Sequence, residues 1–262
     1  MKKITIILPF HRLEAEDIAM LNNALSSAED FHNDVKFLFV CPDKLRSQVS
    51  GLDFGQKLEI NVHYNPTLQT DFASQVNLGI MKCDTEWFSI LEIDDEYKKP
   101  WLSSMNEYMN VYPDVGVFLP IVKDINSEGK FLGFMNDSVW AYGFSNKQGM
   151  LDNEILLEYQ NYQISGALYK TQLIKDFGLL KDNIKLTFGY EFLLRLTHNG
   201  VNIMTVPKIG YQHVNMRENS LFWQYKNDSS MKLSEDEVKF WLDAAKNEYF
   251  FKNKREINYV KK

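Results

Sequence analysis

Short apolar runs and amphipathic stretches take turns along the first hundred residues. "ITIIL" (Ile4–Leu8) is continuously apolar and rich in β-branched side chains, the pattern of a strand buried on both faces. Leu13 to Ala28 carries Ile18, Leu21, Leu25 and Ala28 at helical spacing. "VKFLFV" (Val35–Val40) predicts a second strand ended by Pro42, and "LEINV" (Leu58–Val62) a third. "FASQVNLGIMK" predicts a helix and "WFSILEI" a fourth strand. Strands alternating with helices predict a mostly parallel sheet with helices on both faces, an α/β fold of the Rossmann-like kind.

The alternation loosens further on. "VGVFLPIV" (Val115–Val122) and "NIMTVP" predict strands, with long loops or a hairpin over 126–149. "GALYKTQLIKDFGLL" and "GYEFLLRLTHNG" predict short helices, the second stopped at Gly200. Ser234 and Glu237 have capping-box spacing ahead of a last helix, and the Lys-rich end predicts a solvated tail.

Composition narrows the class without naming it. The 262 residues suit one large domain, or one domain with an appendage. A net charge of -6 supplies no global positive field for nucleic acid. Cys41 and Cys83 form neither a CxxC pair nor a disulfide framework, so a reducing compartment, the cytoplasm, is the simpler expectation. "MKKITIILPF" lacks a following cleavage site and is taken as a first strand. No apolar run is long enough to cross a membrane.

The candidate chemistry lies in "WFSILEIDDEY", where a buried strand ends in four acids within five positions, Glu92, Asp94, Asp95 and Glu96. In open parallel sheets ligands sit at the carboxyl ends of strands. Carboxylates are hard ligands for Mg²⁺ or Mn²⁺, usually shared with substrate phosphates. Taken alone, an acid pair after a strand is as well explained by a solvated loop capping the helix from Pro100.

Five segments in order change that balance. "ITIILPFHR", "VNLGIMKCDTEWFSILEIDDEYKKPWL", "SGALYKTQLIKDFGLL", "YEFLLRLTHNGVNIMTVP" and "YQHVNMRENSL" resemble, in sequence order, the opening strand, acidic motif, acceptor segment, catalytic helix and late His loop of family 2 glycosyltransferases of the GT-A fold. The resemblance covers about residues 4–221. It implies a GT-A domain over 1–221, with a nucleotide-sugar half to about residue 100 and an acceptor half over 101–221. A C-terminal helical extension, 222–262, follows. The activity implied is metal-dependent, usually inverting transfer of a sugar from a nucleotide-diphosphate sugar to an acceptor hydroxyl.

The implied metal, Mn²⁺ or Mg²⁺, falls to Asp94, Asp95 and His213, with Glu92 and Asp94 also on the nucleotide sugar. Which acid meets metal and which meets ribose stays open, because the motif can slide by one residue. Pro9, Phe10, His11 and Arg12 leave the first strand toward the nucleotide, Asn77 stands in an Asn-x-Gly helix, and Arg217, Asn219 and Ser220 form a loop suited to closing over the diphosphate. Trp140 and Tyr190 fall on the acceptor side.

Two departures stand out. The second strand, where the family has base-reading acids, ends "VCPD", leaving Asp43 as a substitute. The acids expected before Arg195 and Leu196 fall on Phe188 and Gly189, which makes Glu191 the nearest general base. The bland alternative for Glu191 is a first-turn acid favoured by the helix dipole, with Asp182 or Asp152 then in reserve. Two rivals remain: a nucleotidyltransferase, although "PFHRLEAED" lacks the glycine-rich loop that would need, and an inactive GT-A-like binding protein. The acceptor stays open among glycan, lipid-linked glycan, protein and modified DNA base.

Overall fold

A computed structural model of the chain describes residues 3–54, 57–67, 70–137, 139, 149–215, 217–218 and 220–250. Strands β1 (Ile4–Pro9), β2 (Val35–Pro42), β3 (Ile60–Asn65) and β4 (Trp87–Ile90) pair in parallel in the order β3-β2-β1-β4. The sheet continues through β9 (Leu168–Lys170), antiparallel to both neighbours, then β6 (Val117–Asn126) and β10 (Ile203–Asn215), parallel to each other. β5 (Glu96–Tyr97) closes that edge antiparallel to β10; β7 (Phe131–Met135) makes a hairpin with β6, and β8 (Met150–Leu151) pairs with β10.

Helices cover both faces, as the buried strands require. α1 (Ala15–Ser26), α2 (Arg46–Ser50) and α4 (Trp101–Val111) pack on one face, where Ile4, Ile6, Leu8, Phe37 and Phe39 meet Leu21, Val49 and Trp101. α3 (Phe72–Lys82), α5 (Asn153–Glu158), α6 (Thr171–Phe177) and α7 (Phe188–His198) cover the other, around Ile7, Phe88 and Tyr169. α8 (Leu221–Asn227) and α9 (Glu235–Glu248) follow. Ala245 and Tyr249 bury into the second core, so this segment packs on the sheet domain itself.

Several boundaries moved for physical reasons. β2 runs through Pro42, because the register pairs Pro42 with Asn65 at the end of β3, where a missing donor costs little. β10 was expected to end near Pro207 but continues to Asn215. Its register on β6 shifts between Val206 and Ile209 and again between Ile209 and Tyr211, so the proline sits in an irregularity instead of ending the strand. β4 is shorter than expected: residues 91–95 leave it in a turn, with the Asp95 amide donating to the Glu92 carbonyl at 3.2 Å.

That turn depends on the sheet being curled. In a flat sheet β4 and β5 would lie four spacings apart, about 19 Å. The chain from Ile90 to Glu96 reaches about 20 Å fully extended, and a turn shortens it. The bend at the shifts in β10 closes the gap. It brings the Tyr97 hydroxyl to donate to Ser89 Oγ of β4 at 2.7 Å.

Candidate active site

Of the acids that follow β4, Glu92 and Asp94 face a cleft of about 690 Å³ at the carboxyl ends of the parallel strands. Its walls include Pro9, Phe10, His11 and Arg12 after β1, Asp17 and Gln75 on α1 and α3, Glu92 and Asp94, Gln163, Gly189 and Tyr190 on α7, His213, and Arg217. Phe72, Phe188, Phe222 and Trp223 make one side aromatic; the first three pack with ring centroids 5.5–5.9 Å apart.

Glu92, Asp95 and His213 come together with one ligand atom each, all within 4.8 Å of one another. His213 Nδ1 lies 3.1 and 3.2 Å from the two Asp95 oxygens, and Asp95 Oδ1 also accepts the Val214 amide at 2.9 Å. Glu92 Oε1 accepts Ser165 Oγ at 2.7 Å and Gln163 Nε2 at 3.3 Å. Gln163 Nε2 also stands 3.3 Å from His213 Nδ1.

The backbone beneath is pinned by buried aromatic polar groups, which need partners. Trp101 Nε1 donates to the Gly166 carbonyl at 2.7 Å, and the Tyr211 hydroxyl accepts the Glu92 amide at 3.2 Å. Gly166 has φ +77°, and a Cβ there would stand 2.4 Å from the Tyr211 ring, so both the turn and the close approach need glycine.

The clustered acids and His213 shift one another strongly. Burial, then the Asp95 charge, pushes Glu92 up to about 8, although His213 and Ser165 pull the other way. Burial alone would lower His213, but Asp95, Glu92 and Asp94 outweigh it and push it up to about 10. Burial and Asp95 also raise Asp94, against the pull of Arg217. Two carboxylates and an imidazole form a hard oxygen and nitrogen set suited to Mn²⁺ or Mg²⁺. The residues present therefore fit the implied divalent ion, which Glu92, Asp95 and His213 would hold.

Asp94, expected on the metal, points elsewhere. Its Oδ2 accepts Arg217 Nε at 2.5 Å, which takes it out of the three-residue group and puts Glu92 in its place. Arg217 Nη1 reaches Asp17 Oδ1 at 3.4 Å, and Asp17 also pairs with Arg12, Nε to Oδ2 at 3.1 Å. His11, in the same wall, is pushed down to about 4 by burial and then by the Arg12 charge.

Four other expected residues lie away from the cleft or are already engaged. Glu191 is 1% exposed and does not line the cavity. It faces the other side of α7, where Arg195 Nε (2.9 Å), Lys181 Nζ (3.0 Å) and the Tyr249 hydroxyl (3.0 Å) surround it. Those three partners draw its carboxylate away from the cavity, although Thr187 and Phe188, one turn earlier, line it. Asn77 exchanges two hydrogen bonds with the Leu180 backbone, at 2.8 and 2.9 Å, and joins loop to helix instead of nucleotide to protein. Asp43 is exposed and paired with Arg46 beyond β2. Tyr190 lines the cavity, but its hydroxyl donates to the Leu156 carbonyl.

Of the reserve acids, Asp152 caps α5 by accepting the Ile155 amide, and neither it nor Asp182 lines the cavity. Ser220 lines it and caps α8 by accepting the Trp223 amide. Trp140 and Asn219 lie outside the described residues.

Residues 163, 165 and 17 are site neighbours that the pattern reading passed over. Each had a signal. Gln163 and Ser165 alternate with apolar residues in "YQISGALY", as on one face of an extended segment. Asp17 lies four residues before Leu21, on the face of α1 that is buried.

No protein-family model matches the sequence, and a search of curated proteins finds no relative. Solved structures do match, and they define the fold: it is the GT-A glycosyltransferase fold. S. aureus TarS 1-349 in complex with UDP-GlcNAc is similar with a TM-score of 0.68 at 17% identity, over 94% of this chain and 66% of that one. The mannosyltransferase PcManGT from Pyrobaculum calidifontis, in complex with GDP-Man and Mn²⁺, is similar with a TM-score of 0.58 at 13% identity, over 85% of this chain and 59% of that one. The chain thus spans about two thirds or less of these two neighbours.

Proposed function

We propose that the protein transfers a sugar from a nucleoside-diphosphate sugar to an acceptor hydroxyl with the help of a divalent metal ion. The observation that carries this reading is the grouping of Glu92, Asp95 and His213, the first and last of which line one cleft of a GT-A fold together with Arg217 and Arg12, while Asp95 is buried behind them. In the transfer a bond forms between the acceptor oxygen and the anomeric carbon. The bond from that carbon to the diphosphate breaks, its electron pair leaves with the diphosphate, and the acceptor loses its proton.

When bound, the ion would supply Lewis-acid neutralisation of the charge growing on the leaving diphosphate. Arg217 and Arg12 offer guanidinium forks suited to phosphate oxygens. Phe10 and His11 bound the opening-strand side of the same cleft, where a base would lie. Ser165 and Gln163 hold Glu92 in place through its Oε1. The aromatic side formed by Phe72, Phe188, Phe222 and Trp223 suits the apolar face of a sugar.

The inverting course expected from the sequence leaned on Glu191 as the base, and its enclosure by Arg195, Lys181 and Tyr249 removes that support. One observation favours a second reading, a protein that binds nucleotide sugars without transferring them: Gly189 stands on the cavity side of α7.

The test is a thermal-shift screen of UDP- and GDP-sugars with and without Mn²⁺, followed by turnover of each stabilising donor. A true donor stabilises the fold by mass action and does so more strongly with the ion. Stabilisation by no nucleotide sugar overturns the reading. Stabilisation without either hydrolysis or transfer selects the binding protein.

A further inference from the structure

The cleft holds a carboxylate that the proposed chemistry leaves unused. Asp17, in the first turn of α1, is 1% exposed and stands between two arginines from opposite ends of the domain. Oδ1 accepts Arg12 Nη2 at 3.2 Å and Arg217 Nη1 at 3.4 Å. Oδ2 lies 3.1 Å from Arg12 Nε and accepts the Glu14 amide at 2.9 Å, which fixes the carboxylate to the start of its own helix. Arg12 and Arg217 both line the cavity.

A buried carboxylate is costly unless it is paired, and two guanidiniums side by side repel each other. The three groups offset one another, and both arginines become fixed on one wall of the cleft. Arg217 carries a second bond, Nε to Asp94 Oδ2, on the side of the acidic turn. An entering anion competes with Asp94 for that guanidinium, while Asp17 keeps hold of its other end. Arg217 can then change partners without leaving the site.

We propose that Asp17 is a positioning residue, which holds Arg12 and Arg217 together as a paired receptor for the diphosphate of the donor. The proposal rests on the glycosyltransferase reading for the identity of the anion, but the pairing itself does not depend on nucleobase or sugar. Prior alignment of both forks lowers the ordering cost of binding.

The test uses inorganic pyrophosphate with Mn²⁺, titrated calorimetrically into the whole chain. Asp17→Asn is expected to weaken pyrophosphate binding roughly tenfold or more. Asp17→Glu keeps the charge on a longer arm and is expected to recover most of the loss. Arg217→Gln is expected to lose a similar amount, and the Asp17→Asn, Arg217→Gln double variant less than the product of the two losses, because Asp17 acts in part through that arginine. A general structural role would instead make the losses multiply and leave Asp17→Glu without rescue.

Wild-type affinity in Asp17→Asn overturns the proposal, as do multiplying losses. Where Asp17→Asn does not fold, the Arg12→Gln and Arg217→Gln variants carry the test: a loss in each that does not multiply in the double variant supports the pairing, and wild-type affinity in either overturns it. Pyrophosphate bound by the wild type with no nucleotide sugar bound overturns the transferase reading and leaves the role of Asp17 standing. A wild type stabilised by nucleotide sugars that binds no pyrophosphate does the reverse.

Discussion

The Tyr249 hydroxyl donates to Oε1 of Glu191 across 3.0 Å, joining the residue just after α9 to the first turn of α7. Lys181 and Arg195 complete the enclosure of the carboxylate. Glu191→Gln leaves two cations facing a neutral amide. The expected cost is about 3 kcal/mol of stability, read by urea unfolding, with Mn²⁺ and nucleotide-sugar affinity unchanged in the folded fraction. Full stability together with abolished transfer would return Glu191 to the chemistry.

His213→Ala and Asp95→Asn are expected to weaken Mn²⁺ binding by more than the roughly 10–100-fold that loss of an outer partner costs. Gln163→Ala is expected to fall inside that range, since the amide contacts Glu92 and His213 without being one of the three clustered ligands. Calorimetric titration of the metal alone separates them. Equal losses from all three variants would mean that Glu92, Asp95 and His213 are not the holders.

The raised groups set a pH dependence with a definite sign. Glu92, at about 8 in the folded chain, holds a proton that the unfolded chain gives up near 4.5; His213, at about 10, holds one given up near 6.5. In both cases the folded state binds more protons, so stability without metal falls as pH rises. The EDTA-treated protein is therefore expected to lose thermal stability from pH 7 to 9.5. Mn²⁺ affinity is expected to rise over the same window, with protons released on binding. A flat melting profile from pH 7 to 9.5 contradicts the assignment.

Gly166→Ala would force a side chain into the left-handed region and against the Tyr211 ring. The strain of the conformation is about 1–3 kcal/mol, and displaced Tyr211 would also lose its bond to the Glu92 amide. Lower stability and weaker Mn²⁺ binding are expected together. Weaker stability with unchanged metal affinity would show that Tyr211 does not support the acidic turn.

How much of this was legible depended on whether the deciding interaction was local. Four of the five strands and three of the four α-helices described up to Val111 were legible, most of them through runs and periods, because burial on two faces, or along one stripe, is written into neighbouring residues. The path of β10 past Pro207 was not: the residues paired with it lie on β6, some ninety positions earlier, and only the register shift makes room for proline. The acidic turn was visible as charge at a strand end. The choice between Glu92 and Asp94 was not visible, because it depends on Arg217, 123 residues away. Glu191 misled for the same reason. Its spacing to Arg195 signalled a helix-surface pair, but the cover supplied by Tyr249 comes from the far end of the chain.

The curl of the sheet has a consequence for the order in which the molecule comes into being. Two of the clustered ligands lie on the turn that leaves β4, and the third lies on β10 beyond its bend. No stretch of chain ending before His213 contains the full set, and none presents it until the bend has formed. During synthesis a divalent ion would therefore find its complete set of donors only after nearly the whole domain has emerged. Its binding would then reward the finished shape over every partial one, making the ion a late fastener of the fold as well as a participant in its chemistry.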